Sequence, residues 1–382
     1  MTRDPDVVRA LDPLDIELEV RVPPPPARRR GWLPRRHAAL GLSPVLAPAL
    51  VFVPLGYLVG PSGLSVVNAS VLGYLDPVVS VTLAALGSFA GLAARDVFRR
   101  PRLVALSAVE AGVTLLVVTG VIASLVSPWG IPMALPPLLL ALCLGLGASP
   151  SSAPAPAVDH PAARVADLDD LVPILGAAIL VAAVAPGPSA WLLLAMTAAI
   201  GLSVGIVAAL LLRDKQPAAE RVVVVVGLLL LLGGAAAYAA VSPLAAGFVA
   251  GAWWRWRARR VGEVVLADLQ RLHHPLVVLL LIVAGASSAL TAEVLWLSAA
   301  LVLSRLLGKL AGGWLGSRLA GGLAPADFGL LLLPPGVFGL AVVLNAHQVL
   351  GPGAMGAALT ATAVSTVVFD VVGLAFPHED AP

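Results

Sequence analysis

The sequence predicts an all-α polytopic membrane protein with about 12 transmembrane helices, the fourth and eleventh of them interrupted. Three observations carry this. Hydrophobic residues make up 59% of the 382 positions and charged residues 12%, with a mean hydropathy of +0.95, a balance that suits lipid as the main solvent. All but two of the 24 basic residues lie in the N-terminal tail or in alternate connections between long apolar segments; the exceptions, Arg305 and Lys309, sit inside one segment. Finally, two apolar segments contain proline-rich breaks at membrane depth.

Taken in order, residues 1–37 carry eight arginines, several acids and the run Pro23 to Pro26, with no apolar core of signal-peptide type, and read as a flexible cytoplasmic tail. A membrane domain follows over 38–376, and 377–382 read as a short cytoplasmic C-terminal tail. A spanning helix needs about 20 mainly apolar residues. Twelve segments qualify: 38–60, 70–94, 103–126, 132–158, 161–185, 188–212, 221–241, 243–256, 273–290, 292–317, 325–350 and 352–376. The eighth is short enough to read as a distorted or partly re-entrant helix, and its existence rests partly on loop parity. The odd connections Pro61 to Ala69, Ser127 to Ile131 and Ala185 to Gly187 hold no Lys or Arg. The even ones hold Arg95, Arg99, Arg100 and Arg102, then Arg164, then Arg213, Lys215 and Arg221, then Arg255 to Arg260 with Arg271, and last Arg318. The positive-inside rule therefore puts both termini in the cytoplasm.

The fourth span contains Gly147-Ala-Ser-Pro-Ser-Ser-Ala-Pro-Ala-Pro156 and the eleventh Leu333-Pro-Pro-Gly-Val-Phe-Gly339. Prolines remove backbone donors and break the helical ladder, leaving groups that need partners inside the membrane. Taken singly, each break also reads as an ordinary proline kink. As a matched pair, each beside a span with membrane-depth charge, they fit an inverted-repeat transporter with its site near the midplane.

The charges fall at matching depths. Counted from Pro161, Asp170 lies about 14 Å into the fifth span at 1.5 Å per residue. Lys309 lies at comparable depth in the tenth span, which runs the other way, with Arg305 one turn away on the same face. Unpaired ions are costly in the bilayer, so these opposite charges are expected to meet. A later helix start would instead make Asp167, Asp169 and Asp170 an acidic N-terminal cap. Lysine can lose its proton when desolvated and arginine effectively cannot, so Lys309 is the better proton-linked partner and Arg305 the better fixed counter-charge, or a neutraliser of loose carbonyls at the breaks. Asp76 and Glu293 lie near outer ends, Glu110 can lean toward the inner arginines, and Asp370, inside the twelfth span, is a possible pathway residue, a structural pair or a snorkelling group. The six histidines show no metal-ligand spacing; His160, near the cytoplasmic mouth, reads as a pH sensor or a solvated loop residue.

These residues resemble the cation:proton antiporter superfamily, the bacterial sodium/proton and potassium/proton exchangers. Tyr57-Leu-Val-Gly-Pro-Ser-Gly-Leu64 resembles its first Gly-Pro-Ser-Gly signature. Leu144-Gly-Leu-Gly-Ala-Ser-Pro-Ser-Ser152 is similar to its interrupted fourth helix, and Asp169-Asp170 to its paired carboxylates. Ala246-Gly-Phe-Val-Ala-Gly251 resembles its small-residue signature, and Gly308-Lys-Leu-Ala-Gly312 its tenth-helix lysine segment. The resemblance covers roughly residues 40–376 and rests on the ordered set. It implies that Asp170 binds the cation and exchanges the proton, that Asp169 partners Lys309, and that the hydroxyls of Ser149, Ser151 and Ser152 with the freed carbonyls complete an oxygen shell for an alkali metal cation. It also implies a homodimer in the bacterial inner (plasma) membrane. The chain departs from many relatives at Pro335 and Val337, where they carry an arginine and an acid.

The expected function is therefore secondary active antiport: exchange of a monovalent cation, Na+ or K+, for protons across the lipid bilayer, with no cofactor. The alternatives are an uncoupled cation pathway, a transporter of another small solute on the same scaffold, or a membrane partner that transports nothing. Enzyme activity is not expected, because no nucleophile–base pair, metal cluster or phosphate loop is legible. Nucleic acid is not an expected partner either, since the arginines suit inner loops. The single cysteine, Cys143, allows no disulfide framework.

Overall fold

The computed structural model describes residues 48–94, 101–129, 137–152, 165, 168–185, 187, 189–212, 217–319 and 328–375, all within one compact unit, Leu42–Pro382. Both tails, Ala153 to Pro156, His160, Asp167, and Arg95, Arg99, Arg100, Arg164, Arg213 and Lys215 lie outside the described residues. Among the described residues the regular elements are helices: α1 Pro48–Val59, α2 Ala69–Ala93, α3 Pro101–Trp129, α4 Pro137–Ala148, α5 Leu171–Val184, α6 Ala190–Leu211, α7 Ala218–Tyr238, α8 Pro243–Arg257, α9 Arg259–Ala286, α10 Ala292–Leu319, α11 Phe328–Leu331, α12 Val337–Leu350 and α13 Pro352–Ala375. Seven are long and apolar enough to cross a membrane, namely α2, α3, α6, α7, α9, α10 and α13, and α1, α4, α5 and α12 are shorter apolar helices. The chain is an all-α membrane protein.

Helix ends follow local chemistry. Asn68 caps α2, its Oδ1 accepting from the Val71 amide at 2.9 Å. Ser242 caps α8 by accepting from the Ala245 amide at 3.1 Å, with Pro243 in the first turn. Gly351 ends α12 at φ 88°, a conformation that favours glycine.

Small residues set the packing. Along the α2/α8 contact, Gly87 faces the Leu244 carbonyl, Gly91 that of Phe248, Gly247 that of Ala84 and Gly251 that of Ser88. Both residue series rise together, so the two helices run parallel. Between α1 and α9, Gly56 faces the Ile282 carbonyl, Gly60 meets Ala286, and Gly285 faces the carbonyl of Val53. Along α10, Gly308 meets Thr114, Gly312 meets Glu110 and Gly316 meets Leu106 of α3, a falling series that makes this pair antiparallel. One helix group is built on α1, α2, α7, α8 and α9, with α6 against α7 and α8; the other comprises α3, α4, α5 and α10 to α13.

The short eighth segment is a helix of 15 residues, α8. One expectation is corrected. The ninth begins at Arg259, not near 273, because Gly262, Val265, Asp268 and Leu269 form a buried face at helical spacing. Within that face Asp268 receives Arg221 at 3.0 Å and Arg271 at 3.1 Å, so an acid with no assigned role in the sequence holds α9 to α7.

Candidate functional site

Both proline-containing stretches are non-helical at their described prolines, and they cross. After α4 the chain is non-helical through Ser149 to Ser152, and between α11 and α12 through Leu332 to Gly336. The Ser152 amide donates to the Pro334 carbonyl at 2.9 Å and the Gly336 amide to the Pro150 carbonyl at 3.2 Å, an antiparallel bridge centred on Ser151 and Pro335. The crossing needs bare backbone, since a side chain at Gly339 would strike the Gly147 carbonyl and one at Gly336 the carbonyl of Ser151.

Arg305 and Lys309 sit one turn apart on α10 and reach into this crossing. The Arg305 guanidinium donates to the Ala148 carbonyl, to the Pro150 carbonyl at 2.9 Å and to the Leu333 carbonyl at 3.3 Å, joining both breaks. Its charge also lies 5.3 Å from the Phe369 ring centroid. The Lys309 ammonium donates to the Ser149 carbonyl and to Ser151 Oγ at 2.6 Å, and stands 3.0 Å from Glu110 Oε1 and 3.5 Å from Asp169 Oδ2. Lys309, Glu110 and Asp169 are all 0% exposed.

The expected Lys309–Asp169 pair is therefore present, but Glu110 is the nearer carboxylate. Glu110 faces Lys309 rather than the inner arginines, and Thr114, one turn on, donates to its Oε1 at 3.1 Å. The α10 glycines at positions 308, 312 and 316 carried the missed signal: a small-residue stripe beside a charge marks a face another helix approaches closely.

Val165, Leu168 and Asp169 are helical, and Asp170 forms the junction to α5. The Asp169 Oδ1 accepts from the Ser151 amide at 3.4 Å, which ties the carboxylate pair to the crossing. Asp170 is buried at the N-cap position, yet its side chain makes no capping bond to α5.

The oxygens expected to complete a cation shell have other partners in this structure. Ser149 Oγ donates to the Ala111 carbonyl at 3.3 Å, Ser151 Oγ receives Lys309, and Ser152 Oγ donates to the Pro335 carbonyl at 3.2 Å. Asp370 lies near the backbone amides of Ala49 and Leu50, at the start of α1.

No protein-family model matches the chain, and no curated protein does. The functional reading therefore rests on the site itself.

Proposed function

We propose that the chain is a secondary active transporter that exchanges a monovalent cation for protons, with Asp170 and Asp169 as the shared binding carboxylates. The observation that carries this reading is the crossing of two broken helices beside buried carboxylates, with a lysine and an arginine of one helix on the freed carbonyls. Broken helices persist in a bilayer where they line a polar site. A carboxylate holds either a proton or a metal cation, so their competition for Asp169 and Asp170 couples the two fluxes without ATP. Arg305 is the fixed charge that holds the two breaks together. Lys309 bridges Glu110, Asp169 and the fourth-span break, and responds to what Asp169 binds.

Helix directions support twelve alternating spans and an inverted repeat. Numbered as spans, α2 and α8 are the second and eighth and run parallel, while α3 and α10 are the third and tenth and run antiparallel, as alternation requires. An offset of seven spans relates the fourth to the eleventh, and turns the contact between the first and ninth into that between the eighth and second. Aromatic residues fall at both interfaces of this assignment. Tyr74, Trp191, Tyr238 and Trp296, all exposed, lie near the ends of α2, α6, α7 and α10 assigned to the outside, while Trp256 and Trp314 lie near inner ends with Arg257 and Arg318 over their rings. Cytoplasmic termini, a bacterial inner membrane and a homodimer complete the reading.

Purified protein in liposomes with a trapped pH dye tests it. Added sodium or potassium should drive protons in the direction opposite to the cation's own movement, whichever way the cation gradient is set. Cation current without coupled proton movement would instead assign an uncoupled pathway.

A further inference from the structure

Where the α12 end nearest Gly351 meets the other helix group, side-chain hydrogen bonds accompany the apolar packing. Asn345 Oδ1 accepts from Ser242 Oγ at 3.0 Å and from the Leu244 amide of α8 at 3.4 Å. One turn on, Gln348 Nε2 donates to the Asp76 carbonyl of α2 at 3.0 Å, and its Oε1 accepts from Ser80 Oγ at 3.3 Å. On α13, Thr360 Oγ1 accepts from the Ala289 amide, just after α9, at 3.1 Å. Asn345 is 0% exposed, and its Nδ2 has no hydrogen-bond partner. Its orientation is not interchangeable, because the Leu244 amide can only donate and so requires the carbonyl oxygen. A contact that leaves one of its own buried donors unsatisfied is less costly to release than a fully bonded one.

We infer that Asn345 and Gln348 are positioning residues for transport: they latch α12 to α2 and α8 and hold the outer side of the boundary between the helix groups closed in the conformation seen here. This rests on the exchange reading and its orientation. Release frees the Ser242 hydroxyl, the α8 N-terminus and the Asp76 carbonyl to water, lets α12 withdraw, and opens the outer route to the crossing. Alternating access then requires breaking these side-chain bonds and parting the apolar contacts beside them, while the glycine contacts of α2 with α8 stay intact.

Cysteine accessibility tests the latch without any cargo. Ala341, one turn inward from Asn345 on the same face, is buried. In a Cys143→Ala background, Ala341→Cys should react slowly with an impermeant maleimide added outside, and at least tenfold faster once Asn345→Ala and Gln348→Ala are added. Exchange by that combination should show a raised internal KM with the external KM unchanged or lowered, a side-dependent split that general loss of packing does not produce. An unchanged labelling rate overturns the proposal. If the combination fails to fold, the pair Ser242→Cys and Asn345→Cys decides: cross-linking should stop exchange, and reduction should restore it. Cross-linked protein that exchanges at the parent rate, or a pair that does not cross-link under oxidation, also overturns the latch. Absence of cation-dependent proton flux in the parent protein would instead refute the exchange reading and leave the labelling result to stand by itself.

Discussion

Glu110→Gln keeps the shape of the side chain and removes the charge nearest Lys309. Breaking a buried ion pair from one side costs about 3–5 kcal/mol, and the stranded ammonium then has Asp169 as its remaining carboxylate. A lower midpoint of thermal unfolding in detergent, with proton flux strongly reduced, is the expected outcome; parent-like stability would mean that Glu110 is not the counter-ion. Asp170→Asn should behave in the opposite way. The amide cannot alternate between proton and metal cation, so the protein should still insert and fold while exchange stops. Asp169→Asn should weaken or alter coupling. Arg305→Gln leaves the Ala148, Pro150 and Leu333 carbonyls without their charged donor, and is expected to lower stability more than Lys309→Gln does. At this scale the sequence named Asp169 as a partner of Lys309 but not the nearer Glu110. Depth along a span located Asp169, Asp170, Arg305 and Lys309, yet the face toward which Glu110 points depends on how α3 rolls against α10, and no count along one helix contains that angle.

Helices α3 and α10 approach closely because Gly308, Gly312 and Gly316 offer no side chain between them. Gly312→Val should push α3 away at Glu110 and separate it from Lys309, an outcome read as reduced exchange in protein that still reaches the membrane. The α4 and α12 breaks were legible from proline spacing alone, since a missing amide donor acts locally. Their crossing was not, because the Ser152–Pro334 and Gly336–Pro150 bonds link positions nearly two hundred residues apart. The early start of α9 was missed for a related reason. The arginines around it satisfied a loop reading, and only packing showed that Val265 and Leu269 are buried beside the Asp268 pairings.

Across the whole molecule, the parallel and antiparallel contacts are what alternating spans would give, and the basic residues predict which side is which. In a Cys143→Ala background, Ser65→Cys, in the connection between α1 and α2, should react with an impermeant maleimide added outside to whole cells. Labelling from the cytoplasmic side alone would overturn the twelve-span orientation. Composition and loop parity made the membrane class readable because lipid constrains every residue of a span at once. The division into two helix groups was hidden, since apolar residues facing lipid and apolar residues facing another helix look alike in sequence.

Channels that sort ions by size replace an ion's water with main-chain oxygens. At the crossing, the carbonyls of Ala148, Ser149, Pro150, Leu333, Pro334 and Pro335 already accept hydrogen bonds from Arg305, Lys309, Ser152 or Gly336. On the exchange reading, an ion at Asp170 would meet carbonyls already engaged by protein donors and would keep much of its hydration shell, and a hydrated ion is judged by charge more than by radius. Sodium, lithium and potassium should then drive proton release at half-maximal concentrations within about tenfold of one another, a spread of about 1.4 kcal/mol.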